Sequence, residues 1–372
     1  MANLMDYVKW RGDLLFTQDP PNEIDALVFS SLAYVDYGVS GDSNEGICVS
    51  LKEAAEKFFA QENPESRVRV HNDMELLYLA ANSSRFSHTR LVMFRSLYIP
   101  EQETQFAAVT FLLDDGSMFL AFRGTDYTLT GWKEDFNMTF QQTVPAQRLA
   151  LQYTREVAME YAYPMRLGGH SKGGNLAVFA AARSSPMVQQ RILGVYNHDG
   201  PGFTDYLMGD PGYLAMVPRI HTYIPQSSVI GMLLEHEEQY KVVRSKNVSI
   251  LQHDPYSWEL MGKEFVRMEQ ITEDSRFLDA TIKAWFAEMT NQERNQLVDV
   301  MFGLLSAGGG DSVQDILSPK NIKAYLKTLS TDVNLRRILS SEFLSLLEAA
   351  KKTRALLEHA KTDEQKLLEE GK

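Results

Sequence analysis

Gly169-His170-Ser171-Lys172-Gly173-Gly174-Asn175 is the stretch on which the reading of this chain turns. Before it, Met165-Arg166-Leu167-Gly168 reads as a short strand, and after it Leu176-Ala177-Val178-Phe179-Ala180 reads as a small-residue helix. A serine at a sharp strand-to-helix turn sits in a strained backbone conformation that pushes its hydroxyl clear of the sheet. Glycines two residues to either side leave room where strand and helix crowd together. The helix N-terminus behind Ser171 aims backbone N–H groups at charge developing on a carbonyl oxygen. A glycine-rich turn with a bystander serine is the plainer alternative, and the strand–turn–helix setting weighs against it.

Working outward, Phe119-Leu120-Ala121-Phe122-Arg123-Gly124-Thr125-Asp126 is a strand running into a turn about 45 residues before the serine. In a sheet that carries a nucleophile elbow, such a loop supplies a second oxyanion donor. The expected pair of donors is the N–H of Thr125 and the N–H of Lys172. Alone, Arg-Gly-Thr-Asp would be an ordinary turn. Upstream, Arg90–Tyr98, Gln105–Leu113 and Ser117–Phe122 are apolar, β-branched and aromatic runs. The turn Asp114-Asp115-Gly116 makes the last two a hairpin. Downstream, helical patterns at about 144–162 and 173–184 alternate with strands Ile192–Asn197, Arg219–Ile224 and Asn247–Leu251. That alternation predicts an α/β layer fold with a mostly parallel sheet.

Residues 51–62 and 74–82 read as short amphipathic helices, and Gly38–Gly46 as a loop. Beyond about residue 275 every segment is helical in pattern, interrupted by Gly308-Gly309-Gly310, which reads as a turn. The expected division is therefore a domain over 1–275 and a helical extension over 276–372. Leu339, Phe343, Leu346, Ala350, Thr353, Leu357, Ala360, Glu364 and Leu367 keep a 4-3-4-3 spacing. Thr, Glu and two Ala weaken that seam. A helix packed on its own domain is the main reading, and a homodimer through the C-terminal helices is the alternative.

Composition excludes several classes. With 37 Lys and Arg against 49 Asp and Glu, the net charge is −12, which repels phosphate backbones and argues against nucleic acid as a partner. One cysteine, Cys48, cannot form an internal disulfide. The N-terminus has no basic region followed by an apolar run, and no apolar stretch reaches the roughly 18 residues that span a bilayer. No metal-ligand spacing and no dinucleotide fingerprint occur. The expectation is a cytoplasmic protein without cofactor or metal.

Phe122-Arg123-Gly124-Thr125 followed by Gly169-His170-Ser171-Lys172-Gly173 resembles the class 3 (fungal-type) lipase branch of the α/β-hydrolases. The chain is more closely similar to an uncharacterised bacterial family of lipase-like proteins. That similarity includes Asp6-Tyr7-Val8-Lys9-Trp10-Arg11-Gly12-Asp13, Asn22-Glu23-Ile24-Asp25 and Asp199-Gly200-Pro201-Gly202-Phe203, and it covers roughly residues 6–260. The resemblance implies an α/β-hydrolase-like three-layer sandwich followed by an all-helical extension. It implies a serine hydrolase and leaves the substrate open.

A triad then needs an acid and a histidine after the serine. Of eight histidines, His71 and His88 precede the core strands and His359 lies in the tail. His221 stands at the wrong end of a strand, and His170, inside the elbow, should point away from the nucleophile. His253 follows the last expected strand and is the candidate general base, with His236, in a helix-like segment, in reserve. Class 3 lipases carry the acid in an Asp-x-Val-Pro pattern, where this chain has Ser227. A Ser–His dyad is one consequence. An acid from one strand earlier is another, and Asp199 stands there, as either the triad acid or a turn residue capping Gly200-Pro201-Gly202. Asp254, adjacent to His253, is a weaker candidate. Val229–Leu234 reads as an amphipathic helix, with an acyl groove or lid as the alternative, and Gly131–Phe136 as a solvated face anchored by Trp132, with the mouth of the site as the alternative.

The expected reaction is hydrolysis of a carboxylic ester, of a small molecule or a lipid, by Ser171, His253 and Asp199 with Thr125 and Lys172 as oxyanion donors. A catalytically inactive binding scaffold and an interaction protein working through its helical tail are the alternatives.

Overall fold

Alternation along Met118–Phe122 sends Met118, Leu120 and Phe122 into one apolar layer and Phe119 and Ala121 into the other. A strand's two-residue period requires that split. Thr104–Leu112 divides the same way, with Phe106 and Ala108 on one face and Val109 and Phe111 on the other. Both faces are buried because helices cover both, as a parallel α/β sheet demands.

The computed structural model describes residues 1–37, 48–126, 128–306 and 319–370, in two units, Met1–Gln270 and Ile271–Lys372. The expected turns at Gly38–Gly46 and Gly308–Gly310 lie outside the described residues. In the first unit come α1 (Leu4–Arg11), α2 (Glu23–Leu32), β1 (Val49–Ser50), α3 (Leu51–Phe59), α4 (His71–Ala81) and α5 (Ser84–Ser87). Then β2 (Arg90–Ile99), β3 (Thr104–Leu112), β4 (Met118–Phe122), α6 (Leu129–Asn137), α7 (Pro145–Glu160), β5 (Met165–His170) and α8 (Lys172–Arg183) follow. The unit continues with α9 (Pro186–Gln189), β6 (Ile192–His198), α10 (Pro211–Met216), β7 (Ile220–Pro225) and β8 (Tyr240–Val243). It closes with β9 (Leu260–Met261), β10 (Glu264–Phe265) and β11 (Arg267–Met268).

Nine strands form one sheet in the order β1-β2-β3-β4-β5-β6-β7-β8-β11. Pairing is antiparallel from β1 to β4, parallel from β4 to β8, and antiparallel again at β11. This is a three-layer α/β sandwich, with the sheet between two apolar layers. The β3–β4 hairpin closes as expected: Gly116 takes φ +80°, and the Leu113 N–H donates to the Ser117 carbonyl at 2.9 Å. Asn22 and Ser50 start α2 and α3 with capping boxes closed by Asp25 and Glu53.

The run Asn247–Leu251 is not a strand. Val248, Ile250 and Leu251 are all exposed, so their apolar character reports no burial. Ser249–His253 forms a 3₁₀ turn, held by the Asn247 amide on the Leu251 carbonyl and the Gln252 amide on the Asn247 carbonyl. Side chains that bond the nearby backbone compete with ladder formation in this way. The last parallel strand is β8, ten residues before His253. Val229–Leu234 is likewise a series of turns, with no helix.

In the second unit α11 (Glu273–Ala287), α12 (Asn291–Ser306), α13 (Pro319–Thr331) and α14 (Val333–Glu370) are all helical, and α14 packs on α11. Ala349 and Thr353 are buried on α14, while Phe343 is 61% exposed. Thr353 is a position of the 4-3-4-3 seam, and Leu339, Leu346 and Ala350 of that seam are half-buried, so the buried stripe follows the seam except at Phe343. Among the described residues no helix is long and apolar enough to cross a membrane.

Candidate active site

Ser171 lies between the end of β5 and the start of α8, with φ 59° and ψ −136°. Positive φ is costly for a residue with a Cβ, and the surroundings impose it. A Cβ on Gly169 would collide with the Gly173 backbone, and one on Gly173 with the Phe122 carbonyl. Strand and helix therefore meet at contact distance only because both positions are glycine.

Two adjacent strands carry the serine and the aspartate. His170 and His198 are the last paired residues of β5 and β6. Each is followed by a residue with left-handed φ, Ser171 at 59° and Asp199 at 56°. Asp199 is fully buried and both of its carboxylate oxygens are engaged. His253 Nδ1 donates to Oδ2 at 2.7 Å. Oδ1 accepts the Ser228 hydroxyl at 2.5 Å and the Gly231 N–H at 3.2 Å. Ser228 is the neighbour of the position where the resemblance sought an acid. Asp254 instead caps the short turn 255–257, accepting the Tyr256 N–H at 3.1 Å.

With Nδ1 donating, Nε2 of His253 is left as the basic nitrogen. The Ser171 hydroxyl and His253 share no hydrogen bond among the described residues, and such bonds are often long before substrate arrives. Three contacts mount the histidine: Trp258 Nε1 donates to the Gln252 carbonyl, Ser227 N–H to Gln252 Oε1, and His170 Nε2 to the His253 carbonyl at 2.7 Å. Sequence reasoning missed this role of His170, whose ring does not stand apart but packs 4.5 Å from the His253 ring. Its Nδ1 receives the Tyr34 hydroxyl at 3.0 Å. Burial, reinforced by His253, drives the His170 pKa well below the usual imidazole value, so it stays neutral and its tautomer follows from its partners. His236 faces the Gly231 carbonyl through Nε2 and Glu238 through Nδ1.

The Arg123–Thr125 loop lies against the elbow. A Cβ on Gly124 would collide with the Tyr34 hydroxyl and the His170 carbonyl and come within 3.1 Å of Ser171 Cβ. The Thr125 hydroxyl donates to Asp135 on α6 at 2.5 Å. The segment Gly131–Phe136 is not a solvated face. Trp132 is 37% exposed, whereas Glu134 is fully buried. Its carboxylate takes the Ala146 N–H at 2.9 Å, the Gln105 N–H at 3.2 Å and the Lys172 ammonium at 3.0 Å. Burial alone would lower the Lys172 pKa, but Glu134 and Asp135 together hold it above its ordinary value.

Loss of solvent pushes the Asp135 carboxyl up to about 6 against the pull of Lys172 and of the Thr125 hydroxyl. The folded chain therefore binds this proton more tightly than the unfolded one between the ordinary aspartate range and pH 6, so ionisation there costs stability as pH rises. Asp135→Asn removes that dependence. Its stability relative to wild type is expected to improve from pH 4 to pH 6 and to level off above, as read from urea midpoints across that range. A difference that does not change with pH would refute the assignment.

No group of three or more His, Cys, Asp or Glu side chains stands where a metal could be held, among the described residues. A family model described as Mbeg1-like matches residues 80–303, more than half of the chain. Among solved structures, the native Rhizomucor miehei lipase propeptide complex is 10% identical, over 71% of this chain and 94% of that one, with TM-score 0.34. M37 lipase is 10% identical, over 83% of this chain and 99% of that one, with TM-score 0.35. No curated protein matches the sequence.

Proposed function

We propose that this chain, which belongs to the Mbeg1-like family, is a serine hydrolase that cleaves carboxylic esters through an acyl-enzyme. One observation carries the reading: the 2.7 Å bond from His253 Nδ1 to a buried Asp199, on loops that flank a serine held at positive φ.

In the mechanism, Ser171 Oγ attacks the ester carbonyl while His253 Nε2 takes its proton, and the Asp199 carboxylate supports the imidazolium that results. The N–H groups of Thr125 and Lys172 receive the oxyanion. As the tetrahedral intermediate collapses, the C–O bond to the alcohol breaks and His253 returns the proton to that oxygen. Water then repeats the sequence on the acyl-serine: His253 takes its proton, the carboxylic acid leaves and Ser171 is restored. The substrate is a small-molecule or lipid ester, and the setting a reducing cytoplasm, in keeping with an unpaired Cys48.

The test is covalent labelling with a fluorophosphonate, which reports an activated serine without knowledge of the substrate. Wild type is expected to label and Ser171→Ala to remain unlabelled, with p-nitrophenyl ester hydrolysis following the same pattern. Folded wild type that neither labels nor hydrolyses would replace this reading with a binding scaffold.

A further inference from the structure

Lysines rarely lie fully inside a protein, yet the Lys172 side chain is 1% exposed, one residue from the nucleophile. Its three ammonium protons have three acceptors at 3.0 Å: the Gln105 carbonyl, Gln105 Oε1 and Glu134 Oε2. Asp135, next to Glu134 on α6, lies 3.7 Å from the same nitrogen and accepts the Thr125 hydroxyl. The two residues to which the proposed mechanism assigns the oxyanion donors are thus the two whose side chains end on adjacent carboxylates.

We propose that the Lys172 side chain, paired with Glu134, is a positioning residue that sets the distance between the two oxyanion donors. The proposal rests on the serine-hydrolase reading. Lys172 fixes the first turn of α8, and α6 fixes the loop carrying Thr125. The ion pair joins α8 to α6, and Glu134 ties the pair to β3 through Gln105 and to α7 through Ala146. Stability alone gives little reason for the arrangement, since apolar side chains of similar volume usually replace a buried ion pair without loss. Donor placement does, because an oxyanion hole works only when its donors are fixed before charge develops.

The test combines Lys172→Met with Glu134→Gln, so that the Glu134 carboxylate is not left buried without its cation, and uses an ester that wild type hydrolyses. The double variant is expected to melt near wild type and keep KM within about threefold. Its kcat and its rate of fluorophosphonate labelling at Ser171 are expected to fall by about 10- to 100-fold, short of the loss of a whole donor. Its affinity for a trifluoromethyl ketone, which forms a tetrahedral adduct, should fall in parallel with kcat. A packing role would leave kcat and the adduct affinity intact in folded protein, and that result overturns the proposal. Lys172→Arg retains the charge and guards against a double variant that does not fold. A guanidinium cannot satisfy the three acceptors around one nitrogen, so kcat should fall about 10-fold, and full activity in this variant would equally overturn it. Wild type that does not label sinks the parent reading, and this one with it, before any variant is made.

Discussion

Asp199→Asn is expected to lower kcat for ester hydrolysis by about 10,000-fold, the cost of presenting a triad histidine in the wrong tautomer. The surroundings of Asp199 decide which way the amide turns. Oδ1 already accepts from the Ser228 hydroxyl and the Gly231 N–H, so the asparagine oxygen stays there and its NH₂ faces His253. Nδ1 must then accept and Nε2 must carry the proton, which leaves nothing to receive the proton of Ser171. Labelling by fluorophosphonate should slow in parallel while the melting temperature changes little, because each contact keeps a donor and an acceptor. If kcat fell less than about tenfold, Asp199 would be a turn residue and Ser171 would work with His253 alone.

The second large effect is expected at a buried ion pair that contacts no residue of the proposed triad. Arg85 and Asp25 are both fully buried, with Nε and Nη2 on the two carboxylate oxygens at 2.8 and 2.6 Å. Nη1 donates to the Leu14 and Asp19 carbonyls, and Asp25 also accepts the Tyr7 hydroxyl and the Asn22 N–H. Arg85→Met leaves a buried carboxylate unpaired and several carbonyls without donors. A loss of about 3–5 kcal/mol follows, a large share of the 5–15 kcal/mol that holds a typical domain together. The urea midpoint should fall accordingly. The exposed pair Lys9–Glu75, 3.7 Å apart, serves as the control, since Glu75→Gln should cost no more than about 0.5 kcal/mol. A comparable loss in the two variants would refute the distinction.

The elements that were legible in the sequence are those with a local cause. Alternation marks β3 and β4, the Asp-Asp-Gly turn joins them, and the glycines around Ser171 announce a close approach of strand and helix. The sequence points to His253 as the residue after a strand that the chain does not form, since exposed Val248, Ile250 and Leu251 mimic a buried run. Its candidacy therefore rests on chain order and on its bond to Asp199, not on that strand. What the sequence hid is pairing over distance. Glu134 and Asp135 look like any charged helix face until Lys172, 38 residues on, turns inward to meet them, and no periodicity encodes such a meeting. His170 is hidden for a related reason: neighbours on a strand point to opposite sides, but a turn directly after it can bring another loop onto the ring.

In the proposed site the nucleophile and the acid stand on two fixed jaws. Each follows the final rung of one hydrogen-bonded ladder, and the spacing of adjacent strands sets the gap between them. The histidine rides on irregular backbone, reached ten residues beyond β8. Heat or mild denaturant would therefore disarm the site through a single joint, the 247–253 turn loosening from its anchor at buried Trp258 while Ser171 and Asp199 hold their places, and activity would fade before the sheet gives way.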